Sequence, residues 1–341
     1  MDLSIIIPLY NAEKYIKRCI QSIYAQNLNS NNFEVLVIND ESSDEGPEIV
    51  NRLIKQHPNL FLFHQKNQGP GVARNKGREK SKGNYIYYLD ADDYLSPNGF
   101  TGLVDKMKER KLQVLGFSST IARPEKDLVS ITDNDKKQLE PVMSGYEFLA
   151  KYRYRNEVWW YIIEKDYLNQ IDLSFDNSRM MEDIRFTMEL FLKAQRVAFL
   201  PIKIHHYFEH PDSILHTTEK VHFNNLIKDF RRTVKEFKPI IARLNTNSTQ
   251  HINVLHKLKA RQESFVFFTI IRFLKSDLAY SELNNILSEA KSCNAYPFKY
   301  FPNHEYPGRV YKILTFMFNN PILLKIIFTL YRGFKGLKNQ I

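Results

Sequence analysis

The densest group of reactive side chains lies between Asp90 and Asp93, where three carboxylates share four positions with Ala91. Such charges repel one another at neutral pH, so either water in an open loop or a bound cation must offset the repulsion. Hard divalent cations take carboxylate oxygens, and Mg²⁺ or Mn²⁺ typically combines one or two of them with the oxygens of a diphosphate. Alternate residues of an extended segment point the same way, so Asp90 and Asp92 can address one target while Ala91 stays small. Acidic clusters after strands also serve as turns and helix caps, and that reading stands beside the metal one. Asp40 poses a similar question, because it too follows an apolar run and is followed by Glu41, Ser42, Ser43 and Asp44. Its carboxylate can accept hydrogen bonds from a base or ribose edge, while Ser43 or Asp44 can cap the next helix. A third acidic pair, Glu182–Asp183, sits in MMEDIRF at the start of a predicted helix.

Alternating strands and helices are needed to bring these groups together. SIIIPLY (4–10), FEVLVIND (33–40), LFLFHQ (60–65) and NYIYYL (84–89) read as strands. The first two are continuous apolar runs, as expected of strands buried on both faces. Helices are predicted between them: one capped by Asn11 and carrying Tyr15, Ile16, Cys19, Ile20 and Ile23, one over 48–55, and one over 72–80 after the turn NQGPG. Short connections in this order give right-handed crossovers and a mainly parallel sheet. Ligands in such sheets bind at the carboxyl ends of the strands, and here those ends carry Pro8–Asn11, Asn39–Asp44 and Asp90–Asp93.

Composition sets the remaining bounds. With 43% hydrophobic and 25% charged residues over 341 positions, the chain is that of a folded protein large enough for a second element. Cys19 and Cys293 make neither a metal-ligand spacing nor a disulfide framework, which suits a reducing cytosol. The first residues lack the basic start and long apolar stretch of a secretory signal, so they are expected to begin the fold. Residues 1–215 hold 28 Lys+Arg against 30 Asp+Glu, a balance of −2, whereas 216–341 hold 20 against 8, a balance of +12. The basic excess of the tail points to an anionic partner.

The segments IIIPLYNAEKYIKRCIQSI, VLVINDESSDEG, NQGPGVARNKG and GNYIYYLDADDYL resemble, in order and spacing, the family 2 glycosyltransferases. The bacterial enzymes that build capsules and lipopolysaccharide outer chains are the most similar. The likeness continues more weakly through GYEFL, MMEDIRF and HHYFEHPDSI to about residue 217. It implies an α/β GT-A fold, Rossmann-like with a mainly parallel sheet flanked by helices, over 1–217. Beyond that the resemblance ends, and the period alone predicts a helical, basic region over 218–341, with amphipathic stretches near 219–243, 250–275 and 280–292 and a break at Asn319–Asn320–Pro321. The resemblance also implies a nucleotide-diphosphate-sugar donor, most often a UDP-sugar, and an inverting transfer to a hydroxyl of a glycan or lipid-linked acceptor. Pro8, Tyr10 and Glu13 would line the nucleotide pocket, Asp40 would read the base, and Arg74 would face the donor. Asp90 and Asp92 match the carboxylates of a DxD motif that binds Mn²⁺ or Mg²⁺, Asp92 being the direct ligand and Asp93 a capping residue. Asp183 matches the general base. Relatives often carry an arginine where this chain has Glu209 and His210 ahead of Ser213, so His210, His206 or His216 could touch the diphosphate or complete the metal shell. Each can equally be a packing residue.

Trp159 and Trp160 could stack on an acceptor sugar or serve as buried anchors. Of the acidic pair, Glu182 lines up with Glu189, Lys193 and Arg196, a face read as solvated. Asp183 lines up with Thr187, Leu190 and Ala194, a face read as meeting the protein. No charge-free stretch reaches the ~18 residues of a spanning helix. On a helix over 322–338, Lys325, Thr329, Arg332 and Lys335 share one face while Ile326, Ile327, Leu330, Phe334 and Leu337 cover the rest. That pattern fits a helix lying on an anionic membrane, so the protein is expected to be cytoplasmic and peripheral at the inner face of the cell membrane. A helix packed on the catalytic domain is the alternative. A sugar nucleotidyltransferase normally has a glycine-rich basic loop after the first strand, and PLYNAEKY has no glycine. Intact Asp40, Asp90, Asp92 and Asp183 argue against a non-catalytic scaffold of the same fold. A nucleic-acid partner is not expected, because the basic tail lacks a recognition motif.

Overall fold

The computed structural model describes residues 1–122, 138–153, 155–177, 181–210, 220–244, 246–276, 278–304, 306 and 308–338. Its chain divides into two compact units, Met1–Ile214 and Leu215–Ile341.

In the first unit the apolar runs become β1 (Leu3–Leu9), β2 (Phe33–Asn39), β3 (Leu60–His64) and β4 (Tyr85–Tyr88), with α1 (Ile16–Tyr24), α2 (Gly46–Ile54) and α3 (Pro70–Lys80) between them. These four strands are parallel, in the order β3-β2-β1-β4. β1, β2 and β4 are buried along nearly their whole length, which is why they read as unbroken apolar runs rather than alternating ones. The sheet then continues through β7 (Tyr161–Glu164), β6 (Val114–Ala122), β8 (Val197–Phe208) and the two-residue β5 (Tyr94–Leu95). β7 is antiparallel to β4 and β6, β8 runs parallel to β6, and β5 is antiparallel to β8. The segment 90–93 is therefore held at both ends, by β4 before it and by β5 after it. Around the sheet lie α4 (Leu103–Arg110), α5 (Gly145–Lys151), α6 (Lys165–Gln170) and α7 (Glu182–Lys193).

Two helix starts differ from expectation. α1 begins at Ile16, and Asn11, at φ +49°, does not cap it. The Asn11 carboxamide oxygen instead accepts from the Ser43 backbone N–H at 2.8 Å, fastening the loop after β1 to the loop after β2. Ser43 does not cap α2 either; Asp44 accepts from the Gly46 N–H at 3.0 Å and, with its other oxygen, from the Glu13 N–H at 2.7 Å.

The second unit contains α8 (Lys220–Ala242), α9 (Thr249–Lys275), α10 (Tyr280–Ser292), α11 (Phe301–His304), α12 (Arg309–Asn319) and α13 (Pro321–Lys338). Its core is aromatic, with Phe237, Phe267, Phe273, Phe301 and Phe318 fully or almost fully buried. α13 packs inward through Leu324 and Phe328, the latter against Phe273 and Tyr280. Arg332 is not part of a solvated basic face: its guanidinium donates to the Ser276 and Leu278 carbonyls at 2.8 and 2.6 Å. The side chains of Phe334, Lys335 and Leu337 lie outside the described residues.

Candidate active site

The loops after β1, β2 and β4 open at the carboxyl end of the sheet. Pro8 is half-buried near the end of β1, and Tyr10 just beyond is 54% exposed, a ring available for stacking. Glu13 turns away to accept from the Glu45 N–H at 2.9 Å, so it ties the first loop to the start of α2. Asp40 is buried and already engaged. Its Oδ1 accepts from Gln65 Nε2 and the Gln68 N–H at 2.8 and 3.0 Å, and its Oδ2 accepts from the Gly69 N–H at 2.8 Å. It thereby shapes the turn into α3, where Gly69 takes φ +90°. A carboxylate has about four acceptor positions, so Oδ2 retains one for a ligand donor.

The Asp90–Asp93 loop is fastened on three sides. Asp90 Oδ1 accepts from Arg74 Nη2 at 2.7 Å, and Arg74 Nη1 donates to Glu182 Oε1 at 2.5 Å. Arg74 is therefore a buried bridge from α3 to both acidic motifs. Burial opposes its charge, yet Asp90 and Glu182 more than offset that, and its pKa is raised. Gly71 makes the approach possible, since a Cβ there would come within 2.9 Å of the Asp176 carbonyl and 3.0 Å of Glu182 Cγ. Asp92 Oδ2 lies 3.0 Å from His210 Nε2, and Tyr15 Oη lies 3.1 Å from His210 Nδ1. Burial and the charge of Asp90 raise the Asp92 pKa, against the lowering effect of His210.

Asp93 does not cap a helix. It is fully buried, bonded to His205 Nε2 and to the Phe208 N–H at 2.9 Å each, and it anchors the loop to β8. Burial pushes its carboxyl up and the His205 imidazole down. His206 is also a packing residue, stacked on Tyr94 and 2.6 Å from Ser96 Oγ. His216 and Ser213 lie outside the described residues. Two partners had no local signal in the sequence. Arg18 donates to the Asp92 carbonyl at 2.9 Å while lying over the Phe208 ring, and Tyr15 orients His210.

At the start of α7 the two acids part company. Glu182, expected on a solvated face, is buried against Arg74. Asp183 is half-buried and has no hydrogen-bond partner among the described residues. Burial, with the nearby carboxylates of Glu182 and Glu157, raises its pKa well above the ordinary carboxylate value. Trp159 and Trp160 are both buried: the first stacks on His205, the second on Phe191. They are anchors rather than exposed stacking platforms.

Among the described residues no three His, Cys, Asp or Glu side chains converge as a metal-binding group. The chemistry of the Asp92–His210 pair nonetheless fits Mn²⁺ or Mg²⁺, which take carboxylate oxygen (Mn²⁺ imidazole as well) and leave further positions to a diphosphate.

The profile of glycosyl transferase family 2 matches residues 4–164, the stretch carrying every strand from β1 to β4 and the Asp90–Asp93 loop. Residues 4–164 belong to that family. The chain is 30% identical over 221 residues to the uncharacterized glycosyltransferase EpsJ of Bacillus subtilis, a match covering 62% of each chain. Among solved structures, S. aureus TarS 1–349 in complex with UDP superposes with a TM-score of 0.67 at 20% identity, over 98% of this chain and 92% of that one. The mannosyltransferase PcManGT of Pyrobaculum calidifontis, in complex with GDP-Man and Mn²⁺, superposes with a TM-score of 0.54 at 14% identity, over 93% and 86%. The fold is the GT-A fold that the four motifs imply.

Proposed function

We propose that the chain transfers a sugar from a nucleotide-diphosphate sugar, a UDP-sugar in the first instance, to a hydroxyl of a glycan or lipid-linked acceptor, with inversion at the anomeric carbon. One observation carries this reading: Arg74 links Asp90 to Glu182, which brings Asp183, on the next residue, to the strand ends where Asp40 and Asp92 already lie. Tyr10 and the turn held by Asp40 would receive the nucleotide. Asp92 and His210 would hold a divalent cation, which supplies Lewis-acid stabilisation of the departing diphosphate. Asp183, with a raised pKa and no hydrogen-bond partner among the described residues, is suited to take the proton of the acceptor hydroxyl. Glu182 positions Arg74 and does not act as a base. The complexes of TarS with UDP and of PcManGT with GDP-Man and Mn²⁺ support both the donor class and the cation.

The second unit supports a peripheral membrane location. Val310, Ile313 and Phe316 on α12, and Ile322, Ile326 and Leu330 on α13, are large apolar side chains left exposed. Arg309, Lys312 and Lys325 are exposed on the same two helices. Exposed apolar residues with cations beside them suit the interface of an anionic bilayer, where a lipid-linked acceptor would reside. No single helix among the described residues is long and apolar enough to cross a membrane; α12 and α13 pass that test only together, bent by 107°.

The testing experiment is incubation of the protein with a panel of nucleotide sugars and Mn²⁺, reading released nucleotide. Release from one nucleotide class, abolished by Asp183→Asn, is the expected result. No release from any member, with or without a hydroxyl acceptor, would overturn the assignment.

A further inference from the structure

A second concavity lies in the first unit, where the ladder between β6 and β8 slips. The register shifts between Phe117 and Ser118 and again between Ser118 and Ser119, an irregularity of the kind that re-aims side chains. Beside it opens a cleft of about 230 Å³. Phe148, Tyr152, Trp160 and Phe199 form its aromatic wall. Gly116 lets the wall close on the strand, because a Cβ there would meet the Trp160 ring at 2.9 Å and the Phe199 ring at 3.1 Å.

The polar lining is unusual for an aromatic cluster. Trp160 is buried, yet its indole N–H has no hydrogen-bond partner among the described residues. Two arginines complete the lining. Arg155 donates to Ser119 Oγ at 2.6 Å with its guanidinium 4.7 Å from the Trp159 ring centre. Arg153 is exposed and makes no ion pair among the described residues.

We propose that this cleft binds a sugar-sized unit of the acceptor that carries an anionic group, a carboxylate or a phosphate; this rests on the transferase reading. Three features support it. The volume falls below the roughly 300–1,000 Å³ of drug-sized pockets and suits one sugar ring. Aromatic walls offer flat apolar surface to the faces of that ring. Guanidinium groups recognise carboxylate and phosphate through paired N–H donors. Location adds the link to chemistry. Trp160 stacks on Phe191 of α7 at 5.1 Å, and Tyr161 Oη lies 2.7 Å from Thr187 Oγ1, one turn after Asp183. Arg155 faces Glu157 at 3.6 Å. The aromatic wall of the cleft thus packs on the helix that presents Asp183, with Phe191 about two turns along it from that residue.

The chain has two tryptophans: Trp160 lines the cleft and Trp159 lies beneath the guanidinium of its Arg155, so intrinsic fluorescence reports on it. The experiment titrates the full chain with glucuronate, glucose 6-phosphate and glucose, and measures UDP affinity with Mn²⁺ on the same sample. A saturable change with at least one charged sugar, about tenfold tighter than with glucose, is expected; which one binds tighter identifies the anionic group. Arg153→Gln should weaken the charged probe about tenfold, the size of one charge-assisted hydrogen bond, and leave UDP affinity unchanged. UDP binding with no preference for a charged sugar, or no effect of Arg153→Gln on that preference, overturns the cleft assignment alone. Charged-sugar binding without any UDP binding removes the acceptor role and counts against the transferase reading instead.

Discussion

His210 Nε2 lies 3.0 Å from Asp92 Oδ2, a pairing across 118 residues of chain, and Tyr15 Oη fixes the other ring nitrogen from 3.1 Å. The imidazole is thus oriented before any cation or diphosphate arrives. Removing such a group commonly lowers metal affinity or activity by about 10–100-fold. His210→Ala is accordingly expected to raise the Mn²⁺ concentration needed for half-maximal nucleotide release by that factor, and Tyr15→Phe to raise it less. An unchanged Mn²⁺ dependence in His210→Ala would make the histidine a packing residue.

Arg74 holds two carboxylates that no other cation meets in the described residues. Breaking a buried ion pair by removing one partner costs about 3–5 kcal/mol. Arg74→Met should therefore lose stability of that order in urea unfolding of the full chain. Arg74→Lys keeps one charge but not the planar fork, and should unfold at intermediate denaturant while still losing turnover. Arg74→Met with parental stability would contradict the bridge.

Asp183→Asn should keep the fold and UDP affinity while lowering turnover by on the order of 10²-fold or more. Glu182→Gln should act through stability, because its carboxylate holds Arg74. A base must be deprotonated to work, and burial with neighbouring carboxylates raises Asp183. Turnover should therefore fall on acidification with a midpoint above the ~4 of an ordinary carboxylate. Full turnover in Asp183→Asn, or a dead but stably folded Glu182→Gln, would exchange the roles.

The parallel half of the sheet was legible because β1, β2 and β4 are buried on both faces, so their residues carry the signal without any partner being known. The helices of the second unit were legible by period, and Asn319–Asn320–Pro321 marked the break between α12 and α13. Long-range contacts were not legible. Asp93 resembles a cap from its neighbours alone, and nothing local shows that His205, 112 residues later, takes its carboxylate. Glu182 reads as solvated from the sequence because Glu189 and Lys193 follow it at helical spacing. Its end of α7 instead packs on α3 through Gly71, whose small size is visible in the sequence but whose neighbour is not. Asn11 has cap chemistry, but a positive φ turns it towards Ser43.

The apolar residues left exposed on α12 and α13 give the membrane reading a direct test. Phe316 and Ile326 are 70% and 48% exposed, so a charge at either should not disturb the core. Phe316→Glu and Ile326→Glu are expected to cut sedimentation with vesicles containing anionic lipid, with thermal unfolding unchanged. Sedimentation equal to the parent in both variants would leave these helices without a membrane role.

The central claim is that the strand-end carboxylates bind a nucleoside diphosphate through a cation held at Asp92. Calorimetric titration of UDP into the parent and into Asp92→Ala, each with Mn²⁺ and again in excess chelator, tests it most directly. The account predicts metal-dependent UDP binding in the parent, lost in chelator and weakened in Asp92→Ala by roughly tenfold or more, the scale of a lost charge-assisted contact. Equal UDP affinity in parent and variant, or full affinity of the parent in chelator, would contradict it.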